Sequence, residues 1–129
     1  MADVALQGIG QIHITVDDLE RSVAFYRDTL GIDLLFEVPE QGMAFFDCGG
    51  VRLYLGRSEG AGNQSRPMIY YTVDQIDDSC TALVDGGTPL SVEAHIVHRT
   101  ETMELWMASV VDPDGNQVVL MEERAIEVA

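Results

Sequence analysis

One segment of the chain occurs twice. His13-Ile14-Thr15-Val16-Asp17-Asp18-Leu19 matches Tyr70-Tyr71-Thr72-Val73-Asp74-Gln75-Ile76 at an offset of 57 residues, and a repeat on this scale fixes which positions are structurally equivalent. Each copy reads as a strand running into a helix. In the first, Ile12, Ile14 and Val16 alternate with Gln11, His13 and Thr15, the period of a half-buried strand. Asp17 is then the expected N-cap, with Glu20 completing a capping-box pair. Leu19, Val23, Tyr26 and Leu30 recur at spacings of 4, 3 and 4, which places them on one helical face, and Gly31 supplies the stop. The second copy repeats the plan with Asp74 as the expected N-cap, a stripe of Ile76, Cys80 and Leu83, and Gly86-Gly87 as its end.

Further strands follow each helix. In the first half they are expected at Leu34–Val38, Met43–Phe46 and Val51–Leu55, broken by turns at Pro39-Glu40-Gln41-Gly42 and Asp47-Cys48-Gly49-Gly50. In the second half they are expected at Glu93–Arg99, Leu105–Val111 and Gln117–Met121, the last two joined by Asp112-Pro113-Asp114-Gly115-Asn116. The result is an α+β chain of two βαβββ modules, at about residues 9–56 and 67–123. A Gly/Ser-rich linker at about 57–66 joins them, and an acidic tail covers 124–129. At 129 residues, the whole is expected to form a single domain.

Charge narrows the partners. Seven arginines, no lysine and 22 acids give a formal charge of −15, a field that repels nucleic acid and anionic membrane surfaces. No apolar run approaches the roughly 20 residues of a membrane span, and Met1-Ala2-Asp3-Val4 lacks the basic and apolar regions of a signal peptide, so a cytoplasmic location is expected. Cys48 and Cys80 have neither metal nor redox spacing and read as small buried hydrophobes. The acids map to helix starts, turns and the Glu122-Glu123 end, which makes them a solvated outer surface. Schiff-base chemistry by a lysine side chain is excluded.

The two modules, the run Val16-Asp17-Asp18-Leu19-Glu20-Arg21-Ser22-Val23-Ala24-Phe25-Tyr26-Arg27-Asp28-Thr29-Leu30-Gly31, and the closing Asp112-Pro113-Asp114-Gly115-Asn116 resemble the vicinal oxygen chelate superfamily. That group contains glyoxalase I, extradiol dioxygenases, methylmalonyl-CoA epimerase and bleomycin-resistance proteins. The resemblance covers about residues 9–123 and implies a mixed sheet curled around an open cavity, with homodimers common. It also implies a metal-ligand position in the first and last strand of each module, which here are Gln11, Tyr54, Met68 and Val119. Divalent metals of this kind take carboxylate, imidazole or amide oxygen, so only Gln11 suits. No cofactor is therefore expected at the usual positions, and a divalent metal elsewhere is left open.

Strand alternation and the repeat place Gln11, His13, Thr15, Arg52, Tyr54, Met68, Tyr70, Thr72, Gln117, Val119 and Met121 on the cavity face. His13 is the candidate general base, beside Tyr54 or Tyr70. Arg52 is the candidate contact for an anionic or carbonyl-bearing ligand. Trp106 either walls the cavity or packs under a helix, and Glu104 shares its strand face. His95 and His98, three apart, should face opposite sides of a regular strand. A two-histidine, one-carboxylate set of His13, His95 and Glu104 is the alternative metal site. Two readings of function stand: a protein acting on or binding a small carbonyl or vicinal-oxygen compound, as a lyase, isomerase or dioxygenase would, or a metal-free protein that sequesters a small apolar molecule.

Overall fold

A computed structural model describes residue 4 and residues 7–57 and 66–126. Apart from Arg57 and Arg66, the expected linker lies outside the described residues, as do residues 127–129 of the expected tail. The chain divides into two compact units, Met1–Gln64 and Ser65–Ala129. Among the described residues, no helix is long and apolar enough to cross a membrane.

The first unit contains β1 (Gln11–Thr15), α1 (Leu19–Ala24), β2 (Asp33–Val38), β3 (Met43–Cys48) and β4 (Val51–Gly56). Its sheet has the order β1-β4-β3-β2, with β1 parallel to β4 and the other pairs antiparallel. A two-residue turn at Gly49-Gly50 joins β3 to β4, and both residues have positive φ, which glycine adopts without steric cost. One face of this sheet is the core: Ile14, Ala44, Phe46, Leu53 and Leu55 are buried with Val23 and Tyr26 of the helical segment. The rings of Tyr26 and Phe46 lie 6.2 Å apart.

Two details of the first helix differ from expectation. Asp18, one residue later than expected, is the N-cap: its Oδ1 accepts from the backbone N–H of Arg21 at 3.1 Å. With the cap shifted, Glu20 loses its capping-box position and sits in the first turn, where the helix dipole still favours it. The helix also widens into a π turn over Phe25–Thr29, in which the Leu30 N–H reaches back to the Phe25 carbonyl at 2.9 Å. Tyr26 stays 1% exposed within that turn.

The second unit contains β5 (Ile69–Thr72), α2 (Ile76–Asp85), β6 (Val92–Arg99), β7 (Met103–Val111) and β8 (Gln117–Ala125), with sheet order β5-β8-β7-β6. Its topology repeats that of the first unit, with β5 parallel to β8. β8 runs four residues beyond its expected end, because β7 offers partners as far as Met103↔Ala125. Ile76, Cys80 and Leu83 of α2 are buried as the stripe requires, along with Ala108, Val110, Val118 and Leu120 of the sheet.

Here too the cap is not the expected aspartate. Gln75 holds the N-cap position without a side-chain bond, and the orphan Ile76 N–H donates to Glu122 Oε1 of β8 at 2.8 Å. A carboxylate from a neighbouring strand thus does the work that Asp74 was expected to do. The Glu122 carboxyl is held below the usual range, first by the Arg124 guanidinium and then by the Ile76 N–H.

Candidate functional site

The Glu122–Ile76 bond also assigns the faces of the second sheet. Glu122 points to the helix, so by alternation Val118, Leu120 and Arg124 do as well, while Gln117, Val119 and Met121 point away. Residues directly paired across an antiparallel ladder share a face. The pairs Trp106↔Glu122 and Glu104↔Arg124 therefore put Trp106 and Glu104 on the helix side.

Of the two places open to Trp106, wall of the cavity or packing under a helix, the register gives the helix side, and Glu104, a candidate catalytic residue, lies there with it. The Trp106 indole N–H donates to Glu104 Oε1 at 3.1 Å, and the Arg124 guanidinium lies 4.7 Å over its ring. The Glu104 carboxyl is kept below its ordinary range, first by that indole N–H and then by Arg99, which pairs with it. Such a carboxylate is an occupied acceptor rather than a poised acid.

The face turned away from α2 carries a pocket of about 210 Å³, lined by Met68, Tyr70, Val92, His95, Val97, Met107, Ala108, Ser109, Gln117 and Val119. Met68, Tyr70, Gln117 and Val119 are among the residues the repeat assigned to the cavity face. Met121 shares that face and is paired with Met107, but lies outside the lining. The Tyr70 hydroxyl donates to the Met68 sulfur at 3.3 Å. The Ser109 hydroxyl is bonded to that of Ser91 at 3.1 Å.

Val92, His95, Val97, Met107, Ala108 and Ser109 complete the pocket; of these, His95 was a candidate only for a metal, and Val92, Val97, Ala108 and Ser109 escaped the sequence reading. β6 is not regular: its register slips between Val92 and His95 and again between Ile96 and His98. As a result His95 pairs with Met107 and His98 with Leu105, two residues on one face of β7, so the opposite-face expectation for the histidines does not hold. The same register separates His95 from Glu104, which pairs with Arg99 on the helix side. The alternative metal set of His13, His95 and Glu104 thus loses its His95–Glu104 pairing. Among the described residues, no three His, Cys, Asp or Glu side chains come together for a metal ion.

In the first unit, the face away from α1 is filled. Register aligns His13 with Tyr54, Tyr54 with Phe45 and Phe45 with Phe36, one aromatic per strand. The Phe36 and Phe45 rings stack at 4.6 Å and those of Phe45 and Tyr54 at 4.8 Å. His13 meets Tyr54 edge-on at 4.7 Å. The Tyr54 ring lies down on Gly56, where a Cβ would stand 2.5 Å from its Cε1. Arg52, exposed at the end of β4, passes its guanidinium 5.9 Å from the Phe45 ring. Gln11 is exposed beside it, paired with Arg52 across the parallel ladder.

His13 is held by its Nε2, 3.1 Å from the Arg57 carbonyl oxygen. A carbonyl only accepts, so Nε2 carries the hydrogen, and in the neutral ring Nδ1 is the basic nitrogen. Burial pushes both Cys48 and Cys80 above the usual thiol range, with Asp47 and Asp77 adding to it. Neither is an activated nucleophile.

At the four positions that the resemblance gives to a metal, the side chains offer one amide, one phenol lying on Gly56, one thioether and one alkyl group. That set does not fit a hard or borderline divalent ion.

A family model described as the Glyoxalase/Bleomycin resistance protein/Dioxygenase superfamily matches residues 8–120, and the chain belongs to that superfamily. It is 31% identical over 130 residues to a lactoylglutathione lyase of Salmonella typhimurium, covering 86% of this chain and 89% of that protein. It is 35% identical over 72 residues to a catechol-2,3-dioxygenase of Bacillus subtilis, a match that takes in half of this chain and a quarter of the length of the dioxygenase. Among solved structures, a lactoylglutathione lyase from Agrobacterium tumefaciens superposes with a TM-score of 0.74 at 23% identity, over 92% of this chain and 95% of the other. That likeness shows the fold.

Proposed function

We propose that this chain binds a small, flat, largely apolar molecule in the pocket of its second unit, without a metal at the superfamily's usual positions. The observation that carries the reading is that two of those positions, Met68 and Val119, are pocket wall. A thioether and an isopropyl group contribute dispersion and apolar area where relatives are expected to place ligating atoms. Size sets the ligand class. About 210 Å³ is larger than the roughly 150 Å³ cavity that admits benzene and smaller than the roughly 300 Å³ at which drug-sized sites begin. One substituted ring fits.

The experiment is a thermal-shift and ligand-observed NMR titration of wild type with toluene, benzaldehyde and phenol. A ligand at ten times its Kd adds about 1.4 kcal/mol to stability, roughly a 5 °C rise in Tm for a chain of this size. Ser109→Phe or Val119→Phe, each placing a ring in the pocket, should abolish the rise. A rise of equal size in both variants, or none in wild type, overturns the proposal.

A second reading is favoured by one observation, the basic Nδ1 that the Arg57 carbonyl leaves on His13. Proton abstraction from a small carbonyl compound would use it. Turnover that disappears in His13→Ala while toluene binding persists supports this reading, and the absence of turnover by wild type leaves binding alone.

A further inference from the structure

Two side chains of the pocket lining bring polar groups without a partner among the described residues, the amide of Gln117 and the Nε2 of the His95 imidazole, and only the imidazole has a fixed acceptor. His95 Nδ1 lies 2.9 Å from the Glu93 carbonyl oxygen, on its own strand. Because a carbonyl only accepts, Nδ1 carries the hydrogen and the neutral ring turns a lone pair out at Nε2. Among the described residues, no hydrogen-bond partner meets Nε2. The hydroxyls of Tyr70 and Ser109 in the lining are engaged, the first with the Met68 sulfur and the second with Ser91. The register slips on either side of His95 free it from regular alternation and bring it to the pocket face beside Met107.

We infer that the pocket selects a one-ring compound carrying a neutral hydroxyl, a phenol, whose O–H donates to His95 Nε2 while its ring lies among Met68, Met107 and Val119. The inference rests on the binding reading above and adds to it the group that is recognised. Anionic rings are disfavoured by the same walls. Among the described residues no arginine lines the pocket, the sequence has no lysine, and its formal charge is −15. A methyl ether or a plain hydrocarbon fills the same space but brings no donor of its own to the imidazole lone pair of the exposed His95.

The test compares phenol, anisole, toluene and benzoate on wild type and on His95→Phe, which keeps a ring and removes both nitrogens. Phenol should bind wild type about three- to tenfold more tightly than anisole or toluene, the worth of one neutral hydrogen bond. In His95→Phe that preference should vanish while toluene affinity holds. In ¹⁵N-labelled wild type, phenol should move the His95 Nε2 resonance and toluene should not, a readout that does not depend on how the variant folds. Equal binding of phenol and toluene, a preference that survives His95→Phe, or benzoate binding more tightly than phenol overturns the inference and leaves the pocket's occupancy standing. If none of the four binds, the binding reading falls and takes this inference with it.

Discussion

The two units share a topology, and on the face away from the helix their side chains do opposite things. Across the four strands of the first unit the central row reads His13, Tyr54, Phe45, Phe36; the equivalent row of the second reads Tyr70, Val119, Ser109, Val92. Three rings that stack in one unit are replaced by two isopropyl groups and a hydroxymethyl in the other. The next row inverts the pattern. Gly56 leaves room for the Tyr54 ring, whereas its equivalent is Met121, with Val119 taking up far less space two residues before it. The helix-side faces are both core, with Phe46 meeting Tyr26 in the first and Ala108, Val110, Val118 and Leu120 beneath α2 in the second. The backbone plan and the helix-side core thus hold the scaffold, while volume on the opposite face decides whether a unit is solid or hollow.

Hollowing the solid unit is the most direct way to break this contrast. Phe45 is buried between two stacked rings, and Phe45→Ala should cost about 3–5 kcal/mol in urea or thermal unfolding. The residual cavity should also accept toluene and recover part of the loss. Gly56→Ala comes next. Its Cβ would stand 2.5 Å from the Tyr54 ring, so the ring must leave its seat at a cost of about 1–3 kcal/mol. Loss of the His13–Tyr54 edge contact in ¹H NMR would check that displacement, and an unshifted ring would refute the notch.

The smallest effect compares the caps. α1 is capped by Asp18 from its own chain start, whereas α2 depends on Glu122 from β8. Asp18→Ala and Glu122→Gln should each cost about 1 kcal/mol near neutral pH. They differ in reach: Asp18→Ala should affect amide exchange locally in α1, whereas Glu122→Gln should loosen α2 and the end of β8 together. The Glu122 carboxyl is lowered in the fold, by Arg124 first and Ile76 second. Its contribution is therefore complete above the unfolded value of about 4.3 and fades as pH falls through the lower folded value. An acid titration of stability should show that loss below about pH 4 in wild type and lack that component in Glu122→Gln.

These differences mark what the sequence could and could not disclose. Strands, turns and both helix stripes were legible because each has a local signature, such as the alternation around Ile14 or the run from Asp112 to Asn116. The repeat equated Tyr54 with Val119, and four residues it assigned to the cavity face, Met68, Tyr70, Gln117 and Val119, line the pocket. The cap of α2 was not legible, because the acceptor for its first N–H comes from a residue 46 positions away, beyond any local pattern. The side on which His95 lies was left open for a related reason: alternation presumes an unbroken ladder, and two register slips in one strand cannot be read from Val-Glu-Ala-His-Ile-Val-His. Trp106 allowed two readings until the Glu122 contact settled which face it occupies.

The irregularities of the outer strands have another consequence. β2 and β6 are edge strands, and each carries at least one bulge, at Leu34/Phe36 in the first and on both sides of His95 in the second. An edge strand with exposed Leu35, Phe36, Val92 and Val97 is the kind of surface on which foreign strands add and fibrils grow. A bulge breaks the even spacing of free N–H and C=O groups that such growth requires. The slip that turns His95 toward the pocket therefore also breaks up an apolar border on which foreign strands could add, and straightening β6 should lower solubility as well as move His95.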